Sequence, residues 1–115
     1  MNDLLIVSKL KETIIYIGKI LINFPKTNII LKNNIEITLY SILENIYVAN
    51  YDKNNRIDLL YKTLVKIKML DFYLKICLEN KIISYKKIIN ICSYLNDITK
   101  MIFAWIKSEK KKVEI

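Results

Sequence analysis

Apolar residues return every three or four positions along four successive stretches of this chain. A spacing sustained that long fits one buried stripe on an α-helix. Val7, Leu10, Ile14, Ile17, Leu21 and Phe24 form the first stripe. Pro25 ends it, because the residue before a proline is pushed out of the helical region, and Thr27 is available as the next N-cap. Ile35, Leu39, Ile42, Ile46 and Ala49 form the second stripe. The polar run from Asn50 to Asn55 reads as a turn in which Asp52 or Asn55 caps the third helix. That helix carries Ile57, Leu60, Leu64, Ile67, Leu70, Leu74 and Leu78 and closes at Glu79-Asn80-Lys81, with Asn80 suited to a left-handed helix end. Ser84 then caps a fourth stripe of Ile88, Ile91, Leu95, Ile98, Ile102 and Trp105.

Four helices of matched length joined by short connections pack as antiparallel neighbours. The expected fold is therefore all-α, an up-down-up-down antiparallel four-helix bundle over residues 1–108 with a basic tail at 109–115. A β reading fails twice: no period-two alternation is sustained, and one glycine and one proline are too few for hairpin corners. Isoleucine nominally favours strands. Here 24 of the 115 residues are isoleucine, so periodicity rather than propensity decides the class.

No site for covalent or metal chemistry stands out. The chain has no histidine, its carboxylates are scattered, and Cys77 and Cys92 lack metal-ligand spacing. No enzyme activity, metal or cofactor is expected, and the two cysteines read as reduced, buried apolar residues. Asp71 lies between Lys68 and Lys75, at i−3 and i+4, where a local ion pair is expected. Tyr51, at the turn after the second helix, reads as structural. No apolar run reaches the ~18 residues of a membrane span. Lys9 and Lys11 follow Asp3 closely, which is unlike a secretory signal, and a cytoplasmic location is expected.

Two surface features remain. Val65, Met69, Phe72 and Ile76 lie roughly opposite the main stripe of the third helix, a second apolar face that points to self-association. The net charge of +8 is also uneven. Residues 1–52 balance five lysines against five acids, whereas residues 53–115 set fourteen cations against six acids and hold the whole excess. Lys86, Lys100 and Lys107 form a heptad-spaced row on the fourth helix, and Lys68 and Lys75 flank the stripe of the third. For any single lysine an ordinary solvated position is the plainer reading. For the hairpin as a whole, a polyanion such as RNA or DNA is the expected partner, held through phosphates rather than base edges. An acidic protein, with the chain acting as an oligomeric interaction scaffold, is the alternative.

The chain resembles a bacterial four-helix-bundle family. The likeness rests on Phe24-Pro25-Lys26, Ala49-Asn50-Tyr51, Ile83-Ser84 and Trp105-Ile106-Lys107-Ser108, in that order. The family includes Avd, the accessory variability determinant of diversity-generating retroelements, and proteins encoded in ribosomal-RNA intervening sequences. The resemblance implies a basic homopentamer that binds nucleic acid and associates with a reverse transcriptase, without catalysis of its own. The partner protein would copy template RNA into mutagenised cDNA. Lys75 and Lys100 stand where the family usually has arginine, and Lys107 matches its usual lysine. Asp71 stands where a basic residue is common. Phe103-Ala104 replaces a Gly-Gly pair, and Lys81 replaces a glycine that ends the third helix.

Overall fold

The computed structural model describes residues 4–113; Asp3 and the last two residues of the expected tail, Glu114 and Ile115, lie outside that range. Four helices follow in order: α1 (Leu5–Leu21), α2 (Ile29–Tyr51), α3 (Arg56–Glu79) and α4 (Tyr85–Val113). A short 3-10 turn, Lys26–Asn28, precedes α2. Each helix packs on the next and α1 closes the square against α4, while among the described residues the diagonal helices keep their backbones apart. The result is an all-α, up-down-up-down bundle measuring 52 × 22 × 22 Å. No helix among the described residues is long and apolar enough to cross a membrane.

The seam of α2 consists of Ile35, Leu39, Ile42, Ile46 and Ala49, as its spacing predicts. That of α4 follows its predicted stripe from Ile88 to Ile102, then turns to Ile106 instead of Trp105, which is half-buried. In α3 the stripe is rotated by one residue in three places. Arg56, Thr63 and Cys77 are buried where Ile57, Leu64 and Leu78 were the apolar candidates. In α1, Thr13 is likewise buried while Ile14 is half-buried. The reason is local. Thr13 and Thr63 donate their hydroxyls to the carbonyls of Lys9 and Leu59, both at 2.7 Å, so neither brings an unmet polar group inside. A spacing argument that admits only apolar residues passes over them.

Helix ends show similar departures. Thr27 does not cap α2; Asn28 occupies that position without a capping bond from its side chain, and Thr27 donates its hydroxyl to Asn28 Oδ1 at 3.2 Å. Between α2 and α3, the Asp52 carboxylate accepts the Asn55 backbone N–H at 3.2 Å and its side-chain amide at 2.9 Å. Ser84 caps α4, accepting the Lys87 N–H at 3.3 Å. At the end of α3 the left-handed residue is Lys81, φ 57°, rather than Asn80. Ile82 donates its N–H to Cys77 at 2.8 Å and Lys81 to Leu78 at 3.1 Å, a Schellman closure that normally uses glycine.

The bundle is not finished at residue 108. Helix α4 runs on to Val113, and Glu109 is buried against Arg56, the chain's sole arginine. The Arg56 guanidinium donates through Nε to the Ala49 carbonyl at 2.6 Å and through one terminal nitrogen to that of Asn50 at 2.9 Å. Its other terminal nitrogen reaches Glu109 Oε1 at 3.0 Å, and the group lies 5.6 Å from the Trp105 ring centre. Lys112 adds a bond to the same carboxylate oxygen at 3.2 Å. One planar fork therefore satisfies two orphan carbonyls at the end of α2 and pins the last turns of α4. Burial pushes the Glu109 carboxyl up, but bonds from Lys112 and Arg56 outweigh it and hold it below the usual carboxylate range.

Three outcomes follow from these contacts. Lys81→Gly relieves the left-handed strain and is expected to stabilise the fold by about 0.5–1 kcal/mol, raising Tm by about 3 °C. Arg56→Met is expected to destabilise by about 2–4 kcal/mol in urea unfolding, and Arg56→Lys to recover little of it, because an ammonium cannot make the three-way fork. Glu109 has a depressed native pKa, so its contribution is complete above the unfolded value near 4.5 and fades as pH falls through the native one. The Tm difference between wild type and Glu109→Leu is therefore expected to shrink on acidification below pH 4.5.

Candidate functional site

The five lysines singled out in sequence, Lys68, Lys75, Lys86, Lys100 and Lys107, are all exposed. None lies within ion-pair distance of an acid among the described residues, unlike Lys9 with Asp97 (3.5 Å) or Lys32 with Glu36 (3.9 Å). Asp97, the acid in the middle of α4, is engaged by Lys9 of α1. Glu109, the acid at its end, is held by Arg56 and Lys112. Asp97 nonetheless shares the outer face with the lysine row and lines the cleft that holds Lys100, whereas Glu109 is buried on the packed side of the helix. Lys86 and Lys107 are separated by ~31 Å along the axis at 1.5 Å per residue.

Heptad spacing on a straight helix drifts by about 20° per repeat. The row on α4 consequently bends toward α3 as it descends. Lys107 ends beside Tyr61 of α3, in an open cleft of about 500 Å³ that Phe103, Lys110 and Lys111 also line. An adjoining groove between α3 and α4, about 430 Å³, takes Lys68 on one wall and Thr99 and Phe103 on the other. Lys75, one heptad beyond Lys68, continues the α4-facing flank of α3. Lys100 is set apart, in a shallow cleft with Tyr85, Ile89 and Asp97. The structure therefore sets Lys68 and Lys107 in two adjoining cavities that share Tyr61 and Phe103, and spreads the other three along the hairpin. Lys110 and Lys111 join Lys107 because the segment read as a tail is helical.

Asp71 does not pair with Lys68 or Lys75, contrary to the local ion pair expected from spacing. It is half-buried on the wall of the same groove and faces α4. Burial first, then the negative charge of Asp71, raise the Cys92 thiol, which places that carboxylate's influence across the helix boundary. Cys77 is buried and its thiol is pushed up to about 11 by desolvation. Both cysteines are free thiols. Neither has the lowered pKa that makes a thiolate nucleophile.

The second apolar face is also present. Val65, Met69 and Phe72 are 63%, 43% and 54% exposed on the outside of α3, and Ile76 is half-buried beside them. Sequence reasoning missed that α2 extends this surface. Ile30, Ile37 and Val48 lie on its outer side, all exposed. Lys66 of α3 donates to Ser41 of α2 and so sets the register of these antiparallel helices. Ile37 then comes close to the level of Met69, and Ile30 to that of Ile76. Periodicity within one helix could have revealed each half, but not their adjacency. Tyr51, read as structural, is instead largely exposed at the end of α2.

A search of curated proteins returns no significant match. The bAvd-like family model matches residues 4–109, from the first residue of the described bundle to the glutamate that anchors the end of α4. Since that match takes in all but the termini, the chain belongs to the bAvd-like family.

Proposed function

We propose that this protein is a non-enzymatic nucleic-acid-binding accessory factor. It self-assembles and assists a diversity-generating retroelement reverse transcriptase in copying template RNA into cDNA. The observation that carries the reading is electrostatic. An excess of eight positive charges belongs to residues 53–115, and the heptad row on α4 stands in solvent with no acid within ion-pair distance among the described residues. Such a row neutralises phosphates and releases their counterions, which favours RNA or DNA without reading its sequence. Membership of the bAvd-like family supports the accessory role and the association with a reverse transcriptase. The exposed face of Val65, Met69, Phe72 and Ile76, continued on α2, supports assembly into a homo-oligomer, for which the family suggests five copies. A ribosomal-RNA intervening-sequence protein would share these surfaces, and the genes neighbouring this one separate the two roles.

In a filter-binding titration against structured RNA, log affinity is expected to fall linearly with log salt concentration. Replacing Lys86, Lys100 and Lys107 together by Glu is expected to flatten that slope by about two to three and weaken low-salt binding at least about tenfold. The scattering mass should stay unchanged. Binding unaffected by both salt and the triple substitution overturns the reading and leaves an interaction scaffold. For assembly, Val65→Glu with Phe72→Glu is expected to reduce the mass measured by light scattering to that of one chain. A wild-type protein that is already monomeric at micromolar concentration removes the interface.

A further inference from the structure

We infer that the groove between α3 and α4 is a seat for unpaired nucleotides, with Tyr61 and Phe103 as stacking platforms; this rests on the nucleic-acid reading above and names the form of ligand. Tyr61 and Phe103 are 41% and 54% exposed, although both belong to helices whose apolar seams are satisfied elsewhere. They line both adjoining cavities, one on each wall. Volumes of about 430 and 500 Å³ fall within the range of small-ligand clefts, and each is open along one side, as a passing strand requires.

Charge specifies the occupant. Lys107, Lys110 and Lys111 gather at one end of the two cavities and Lys68 stands toward the other. The Lys110 ammonium is 5.4 Å from the centre of the Tyr61 ring, so a cation stands next to this aromatic platform. Aromatic rings set within a cationic groove are the physical signature of single-strand binding, because every base presents a π-face once it is unstacked from a duplex. A duplex keeps its bases inward and would meet only the lysines. Asp71, half-buried in the wall of the α3–α4 groove, offsets Lys68 there, so the excess of positive charge sits at the end held by Lys107, Lys110 and Lys111.

The inference separates this groove from the outer row of Lys86 and Lys100. The row holds any polyanion, while the groove gives single strands an added increment. That increment is absent from duplexes, and it is lost when the rings are removed even though every lysine is retained.

Fluorescence anisotropy tests it, using labelled uridine and thymidine homopolymers and a blunt duplex of equal length at one fixed salt concentration. The wild type is expected to bind both single strands more tightly than the duplex. Phe103→Leu and Tyr61→Leu keep apolar bulk at exposed positions, and each is expected to weaken single-strand binding about fivefold or more. Duplex binding should stay within about twofold, and Phe103→Tyr should restore the single-strand affinity. Crosslinking an iodouracil-substituted strand is expected to label the peptide holding Phe103 or Tyr61. Equal affinity for strand and duplex, with both leucine variants unchanged, overturns the groove proposal and leaves the phosphate-binding role intact. A leucine variant that changes the scattering mass, with strand affinity unaltered, assigns the groove to a second copy of the chain and also overturns it. Failure to bind any of the probes at low salt overturns the broader nucleic-acid reading, and the groove with it.

Discussion

A square bundle buries one stripe from each of its four helices, and the limited width of that stripe governs where the rest of this chain can go. Seven positions of α3 reach the seam, from Arg56 to Cys77. All its other residues lie on a flank or on the outer face. The fold is stable because Leu and Ile fill the seam: 12 of the 22 buried apolar residues are isoleucine, held in helices by tertiary packing despite their strand preference. Everything functional is then a matter of what the sequence puts on the outside. Here it puts Lys68, Lys107, Lys110 and Lys111 along the α3–α4 side together with exposed Val65 and Phe103, and it puts Ile30, Ile37 and Met69 on the outer faces of α2 and α3.

The two surfaces use the same physics in opposite senses. On the outer faces of α2 and α3, Ile37, Val65 and Phe72 leave apolar area in water, a cost that contact with another apolar surface would lower. On the α3–α4 side, Lys68, Lys75, Lys86, Lys100 and Lys107 have no acid within ion-pair distance among the described residues, while Asp97 and Glu109 are occupied by Lys9, Arg56 and Lys112. An unpaired surface ammonium contributes little to folding, so packing does not account for these lysines. Tyr61 and Phe103 lie between these regimes, apolar rings set among cations.

Much of this architecture could be read from the residues in order. The seam of α2, most of those of α1 and α4, and the capping role of Ser84 follow from spacing and side-chain chemistry alone, since both act within a few residues. Where the reading slipped, a polar residue had found a local or distant partner. Thr13 and Thr63 enter the core because their own helices accept their hydroxyls. Asp71 turns toward α4 instead of bonding along its own helix, and Lys81 takes the left-handed position that Asn80 was expected to hold. At the candidate site, the exposure of Lys68, Lys75, Lys86, Lys100 and Lys107 was legible from the angle each makes with the seam. Their grouping was not, because it depends on the placement of two helices relative to each other.

Helical periodicity and the unequal distribution of charge are properties of linear order, and they establish a four-helix chain with a neutral front hairpin and a basic back one. Linear order has no means of expressing an approach between residues far apart along it. Arg56 and Glu109 are 53 positions apart, and only the closed square lets the guanidinium bridge the end of α2 to the last turns of α4. That same closure carries the helix past the supposed tail, sets Lys107, Lys110 and Lys111 beside Tyr61, and turns isolated lysines and rings into one groove.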